Sequence, residues 1–281
     1  MATPLDVQDL RVRFRTPRGM VEAVRGVSFQ VGAEKVGIVG ESGSGKSTVG
    51  RAILGLVPHP GEVTAARLAF GDVDLLQAPK PVLREIRGRR ISMVLQDPKF
   101  SLNPVMKVGR QIEEAVRVHR GFGGGEARRR AMAMLEAVRI RDPERVYGLY
   151  PHQVSGGMGQ RIMIAMMLVC DPELLIADEP TSALDVTVQK QVLTILDELV
   201  TSRGMGLIFV SHDLELVASF CDRVLVMYAG RIVEECRAAD LAHAQHPYTR
   251  GLLACLPRIA GPHGTLPTLK RDPAWATEPV A

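Results

Sequence analysis

The sequence predicts an α/β fold with a mixed sheet core, an N-terminal antiparallel β-subdomain and an inserted α-helical subdomain. Three observations carry this. The apolar run Val36–Val39 leads into Gly40-Glu41-Ser42-Gly43-Ser44-Gly45-Lys46-Ser47-Thr48 and then into a helix-like run, Val49–Val57. Further down, short apolar runs alternate with longer helical periods, the pattern of a mainly parallel sheet flanked by helices. Upstream, Leu5–Thr16 and Val21–Val31 alternate apolar and polar residues around a turn at Pro17-Arg18-Gly19, which reads as an antiparallel hairpin with one solvated face.

Each element follows from its local pattern. In Leu5–Thr16, Leu10, Val12 and Phe14 share one face and Arg11, Arg13 and Arg15 the other. Lys35–Val39 is the strand feeding the glycine-rich loop. Pro58-His59-Pro60-Gly61 breaks the chain, and Ala66–Phe70 and Ile91–Leu95 are strand candidates. Val108–His119 and Glu126–Ile140 have helical periodicity, separated by Gly121–Gly125, and they place a helical subdomain at about 97–169. Gly156–Cys170 reads as a helix, Leu174–Ala177 as a buried strand, Val186–Ser202 as a helix and Gly206–Val210 as a second buried strand. Asp213–Ser219, Ala239–His243 and Tyr248–Cys255 are short helices; Arg223–Tyr228 and Arg231–Glu235 are short strands. One main domain is expected over residues 1–255, with 256–281 as an extension whose Pro, Gly and Thr content predicts extended chain.

Bulk properties narrow the class. The 281 residues, 46% hydrophobic, can bury a sizeable core, built from aliphatic residues because aromatics make up only 4%. A net charge of +4 selects no partner by itself. No apolar run approaches the ~20 residues of a membrane-spanning helix, and Met1–Arg11 lacks the layout of a signal peptide. These features predict a cytosolic protein, compatible with docking to a membrane. Cys170, Cys221, Cys236 and Cys255 form no C-x-x-C pair and have no His at ligand spacing, so reduced structural thiols are expected.

Gly40–Thr48 has the phosphate-loop pattern G-x-x-x-x-G-K-[ST] in its required strand–loop–helix context. Glycines let the backbone wrap phosphate oxygens, and several N–H groups and a helix N-terminus point inward. Lys46 supplies a full positive charge for the β- and γ-phosphates, the Ser47 hydroxyl a Mg²⁺ ligand, and Thr48 a hydrogen bond to phosphate. Leu174–Ala177 ends in Asp178-Glu179-Pro180, at the strand end where ligands bind in open α/β sheets. Asp178 is placed to hold Mg²⁺ directly or through water, and Glu179 to act as base on a water lined up on the γ-phosphate. Gln96, closing Ile91–Leu95, is suited to touch Mg²⁺ or its water; taken alone it is an ordinary strand-end residue. His212, after a buried strand, can hydrogen-bond a γ-phosphate oxygen. Phe14 is either an adenine-stacking ring or a core aromatic. Ser155-Gly156-Gly157 opens a helix and forms a second anion-binding terminus, suited to a nucleotide held by another subunit.

Taken in order, this series resembles the ATP-binding cassette (ABC) ATPases, of the P-loop NTPase fold. Walker A is Gly40–Thr48, the Q-loop Gln96, the signature Val154–Met158, Walker B Leu174–Glu179, the D-loop Ser182-Ala183-Leu184-Asp185 and the switch histidine His212. The resemblance implies a head-to-tail dimer with two ATPs, each between one subunit's Walker A and the other's signature; Asp185 then joins the nucleotide-binding set. Gln96-Asp97-Pro98, Ser101-Leu102-Asn103-Pro104, Ser155-Gly156-Gly157-Met158 with Gln160-Arg161, and His246-Pro247-Tyr248-Thr249-Arg250-Gly251-Leu252-Leu253 are similar to the oligopeptide/dipeptide/nickel importer ATPases. That family implies a second ABC ATPase subunit, two membrane permeases, an extracytoplasmic binding protein, a position on the cytoplasmic face of the membrane, and no nucleic acid. Several of its members end in a cysteine-rich tail, which in some holds an iron–sulfur cluster; Ile259–Ala281 has no cysteine, so no cluster is expected. A cassette acting on nucleic acid or the ribosome is the alternative, but the chain shows one cassette, no zinc spacing and no sustained heptads. A non-hydrolysing regulatory partner is disfavoured by the presence of both Lys46 and Glu179.

Overall fold

The computed structural model describes residues 5–17, 19–97, 101–182, 184–256, 269 and 272–276. The extended tail expected from Pro257 falls almost wholly outside them. The chain divides into two compact units, Met1–Leu76 with Phe209–Ala281, and Gln77–Ile208.

The first unit opens with β1 (Leu5–Thr16) and β2 (Gly19–Val31), paired antiparallel from Leu5↔Val31 to Thr16↔Gly19. Val7 and Leu10 are both buried although three residues apart, because Asp9 sits at φ 49° where the register shifts. The bulge resets the alternation, so Leu5, Val7, Leu10 and Val12 all face the core while Arg11 stays outside. β3 (Lys35–Val39) runs into the loop, and α1 (Lys46–Ile53) follows it. This helix starts three residues before the expected Val49 and stops short of Val57, ending in Leu54 and then Gly55 at φ 60°. The break at Pro58–Gly61 is followed by a strand that the residue pattern did not announce, β4 (Gly61–Thr64), which pairs with β1, as does β5 (Arg67–Phe70); β6 (Val73–Asp74) completes the antiparallel layer.

The second unit begins with α2 (Lys80–Ile86), also unforeseen, and β7 (Ile91–Val94). Then come α3 (Val108–Arg120), α4 (Gly124–Ala137), α5 (Pro143–Tyr147) and α6 (Gly156–Leu168). Ile112, Val116, Ala127, Ala131, Leu135 and Ile162 are completely buried among these helices. A polar pin sits among them. Glu113 is 3% exposed, accepts the Tyr147 hydroxyl, and pairs with Arg110 and Arg117. The Tyr147 ring lies against Gly109, where a Cβ would stand 2.0 Å from it, so α3 and α5 approach only because that residue is glycine. β8 (Leu174–Asp178) pairs parallel with β7; α7 (Val186–Arg203) follows, and β9 (Gly206–Ser211) carries the chain back to the first unit.

There the chain adds α8 (Leu214–Phe220), β10 (Arg223–Tyr228), β11 (Arg231–Arg237) and α9 (Pro247–Ala254). β10 lies parallel to β3 and antiparallel to β11, so the sheet is mixed within this unit. Cys221 packs beside Gly37 of β3, and burial pushes its thiol up to about 12. An unfolded thiol releases its proton near pH 8.5. Between about pH 9 and 12 the unfolded chain therefore holds fewer protons than the native one, and native stability falls as pH rises through that window. Urea midpoints taken from pH 8.5 to 10.5 in reductant are expected to drop with pH, and less steeply for Cys221→Ala. Equal slopes for the two proteins would remove Cys221 as the cause.

Candidate functional site

The first unit holds the glycine-rich loop Gly40–Thr48. β3 delivers it from a fully buried run, Val36–Val39. Gly40 and Gly45 lie at φ 150° and 103°, and neither position has room for a side chain: a Cβ would stand 2.1 Å from the Met227 carbonyl oxygen and 2.5 Å from that of Ala23. Both the left-handed backbone and the close approach of neighbouring main chain require glycine here. Gly45 caps α1 without a side-chain hydrogen bond, so the first N–H groups of the helix are not claimed by a capping side chain. Lys46 is 5% exposed, and its Nζ donates to the carbonyl oxygens of Gly40 and Glu41, each at 2.8 Å. The turn after β10 braces the loop: Gly230 N–H donates to the Ser44 carbonyl at 3.0 Å. Ser47 and Thr48 are half-buried on the first turn of α1.

His212 lies in the same unit, exposed, one residue past β9. Its backbone is held by the residue that follows. Asp213 N–H donates to the Ser211 hydroxyl, and the Asp213 carboxylate caps α8 by accepting from Leu216 N–H, each at 3.0 Å. Phe14 is half-buried over Gly61, its register partner on β4, where a Cβ would stand 2.7 Å from the ring.

In the second unit, the parallel register of β7 and β8 brings two distant candidates together. Val94 is opposite Ala177, and the same offset of 83 residues sets Gln96 opposite Glu179. Gln96 Nε2 donates to Glu179 Oε2 at 3.1 Å. Asp178 is the buried end of β8, 4% exposed. Glu179 has φ 46°, a backbone conformation that costs a non-glycine residue of order 1–3 kcal/mol. The turn that holds it there is closed by Ser182, whose N–H and hydroxyl both donate to the Glu179 carbonyl, at 3.3 and 3.2 Å.

Ser155 caps α6, accepting from Met158 N–H at 3.4 Å, and Ser155 and Gly156 are exposed. Asp185 caps α7 in the same way, its Oδ1 accepting from Thr187 and Val188 N–H at 3.0 Å. The two helix starts touch, since a Cβ on Gly157 would meet Val188 Cγ1 at 2.6 Å. Ala183 lies outside the described residues. In the sequence Arg161 is a family marker alone. It ties the start of α6 in place by donating to the carbonyls of Gly157 and Arg139, at 3.2 and 2.8 Å.

Glycines that nothing else can replace, a buried lysine folded onto loop carbonyls and a glutamine on a strand-end glutamate belong to a common design, and a family match decides which. Residues 24–182 match the ABC transporter family. The chain belongs to that family. Among curated ABC transporter proteins, it is 46% identical over 271 residues to the oligopeptide transport ATP-binding protein OppD of Haemophilus influenzae, covering 96% of this chain and 84% of that protein. It is 49% identical over 269 residues to the dipeptide transport ATP-binding protein DppD of the same organism, covering 95% and 81%. Among solved structures it resembles the dimeric post-hydrolysis state of the ATP-binding cassette MJ0796 bound to ADP and Pi, with a TM-score of 0.70 and 28% identity, covering 83% of this chain and 98% of that one. The fold is the ABC ATPase fold. No helix among the described residues is long and apolar enough to cross a membrane.

Proposed function

We propose that this chain is the ATP-hydrolysing subunit of an ABC importer for oligopeptides or dipeptides, seated on the cytoplasmic face of the membrane. One observation carries the cargo class: near-full-length identity to peptide-transport ATP-binding proteins. Nickel and metal chelates remain the second cargo class, drawn from the importer family that the C-terminal motif resembles. The partners would be a second ABC ATPase subunit, two permeases and an extracytoplasmic binding protein. Residues 1–255 would form the nucleotide-binding domain, with its helical subdomain at about 97–169, and 256–281 an extension.

The roles follow from side-chain chemistry. The N–H groups of Gly40–Thr48 and the Lys46 ammonium hold the phosphates. Phe14 stacks on adenine. Ser155, Gly156, Gly157 and Asp185 complete the partner subunit's site, as the partner's equivalents complete this one. The Ser47 hydroxyl, the Asp178 carboxylate and the Gln96 amide oxygen are hard oxygen donors, a set that suits Mg²⁺, which would neutralise charge on the β- and γ-oxygens. Glu179 accepts a proton from the water that attacks the γ-phosphorus, and ADP leaves as the bond to the β–γ bridging oxygen breaks. Gln96 holds Glu179 in line through the hydrogen bond described above. His212 donates to a γ-phosphate oxygen.

The test is turnover in two settings. Isolated chain is expected to bind ATP and hydrolyse it slowly. Reconstitution with the permeases and partner ATPase, plus a peptide-loaded binding protein, is expected to raise turnover at least tenfold. Stimulation by DNA or ribosomes without membrane association would overturn the importer reading, and full-rate turnover by a strictly monomeric preparation would overturn the shared site.

A further inference from the structure

Tyr248 is among the largest fully buried side chains of the protein, at 0% exposure, yet it sits on a short helix near the C-terminus. Its hydroxyl accepts a hydrogen bond from the backbone N–H of Glu41, the second residue of the phosphate loop, at 3.1 Å across 207 positions of sequence. The carbonyl of that same residue accepts from Lys46 Nζ at 2.8 Å and from Ser44 N–H at 3.2 Å. Glu41 is therefore gripped through both ends of its main chain, one of them by a side chain from outside the loop.

The segment that delivers Tyr248 is built for the task. The Glu234 carboxylate on β11 is 4% exposed and accepts from the N–H groups of Gln245 and His246. This joins the segment to the strand that pairs with β10, itself the neighbour of β3. His246 Nδ1 accepts from Tyr248 N–H at 3.1 Å, capping α9, and Pro247 occupies the first helical position. The His-Pro-Tyr order thus has a physical sense: the histidine caps, the proline starts the helix, and the tyrosine reaches the loop. The phenol ring is held laterally by Tyr228 at 4.5 Å and Trp275 at 6.0 Å between centroids. A tyrosine hydroxyl can take the N–H without placing a negative charge beside phosphate, as a carboxylate would.

We propose that Tyr248 is a positioning residue of the phosphate loop, holding Glu41 through its hydroxyl so that the loop is preformed for nucleotide. The proposal rests on the assignment of Gly40–Thr48 as the phosphate site. Preorganisation strengthens binding by lowering the ordering cost paid on association. Loss of one such hydrogen bond should weaken nucleotide binding by about three- to tenfold.

The experiment compares four full-length proteins: wild type, Tyr248→Phe, Leu269→Ala and Lys46→Ala. Leu269 packs on Gly251 of α9 and is not among the residues that bond the loop, so its truncation loosens the same segment without removing the hydroxyl. A fluorescent ATP analogue with Mg²⁺ gives the Kd of each, and thermal melting without nucleotide gives Tm. Tyr248→Phe is expected to raise Kd three- to tenfold while Leu269→Ala lowers Tm and leaves Kd within twofold. In the assembled transporter, Tyr248→Phe should raise KM for ATP and change kcat less than twofold. An unchanged Kd for Tyr248→Phe, or equal Kd shifts for Tyr248→Phe and Leu269→Ala, overturns the proposal. Lys46→Ala separates the two levels: retained binding there overturns the phosphate-site assignment as well, whereas lost binding there with an unchanged Tyr248→Phe overturns the positioning role alone.

Discussion

Glu179→Gln in the assembled transporter is expected to lower ATP turnover by about 10²- to 10⁴-fold, the contribution typical of general base catalysis, while ATP still binds. The substitution is nearly isosteric and removes only the carboxylate's ability to take a proton. Neighbouring structure should survive it. The turn at Glu179 is held through its carbonyl by the Ser182 N–H and hydroxyl, and an amide side chain can still pair with the Gln96 amide. Phosphate release and nucleotide occupancy, measured on the same preparation, separate loss of chemistry from loss of binding. Intact hydrolysis by the assembled variant would move the base to another residue.

The second large effect is expected at Lys46. Lys46→Ala should raise the Kd for ATP with Mg²⁺ by at least ~30-fold. Lys46 is 5% exposed and its ammonium is satisfied by two loop carbonyls at 2.8 Å, so the charge is held in place before any phosphate arrives. Deleting a buried charged partner typically costs 2–5 kcal/mol, which is about 30- to several-thousand-fold in affinity. Lys46→Arg should not rescue, because a planar five-donor fork does not fit a space shaped for a compact ammonium. Titration with the fluorescent analogue reads the effect, and a Kd within threefold of wild type would sink it. Since Lys46 also bonds the Gly40 and Glu41 carbonyls, its removal should loosen the loop start, the same peptide that Tyr248 grips.

Much of this was legible from residue order. The β1–β2 hairpin, β3, β7 and β8 lie where alternation and apolar runs put them, because buried strands need such runs whatever surrounds them. Elements with weak local signals escaped. β4 is four residues with a half-buried pattern, and its existence depends on β1 offering a second edge. α2 has one buried residue, Ile86, so its periodicity is nearly silent. The boundaries of α1 moved because the loop geometry, with Gly45 as cap, starts the helix at Lys46 rather than at the first apolar residue. Asp185 illustrates a side chain with two readings: its place in the motif series suggests nucleotide, and the fold employs it as the cap of α7.

The sequence by itself determined the family, the glycine-rich loop between β3 and α1, the acid pair closing β8 and the order of the motifs, because these reside in contiguous residues whose chemistry is local. The tertiary structure alone decided which distant residues meet. Gln96 reaches Glu179 because two parallel strands share one register, and Tyr248 reaches Glu41 because a capped helix is anchored to β11. Such pairings depend on strand offsets and helix seating summed over many contacts, and no single stretch of chain encodes them.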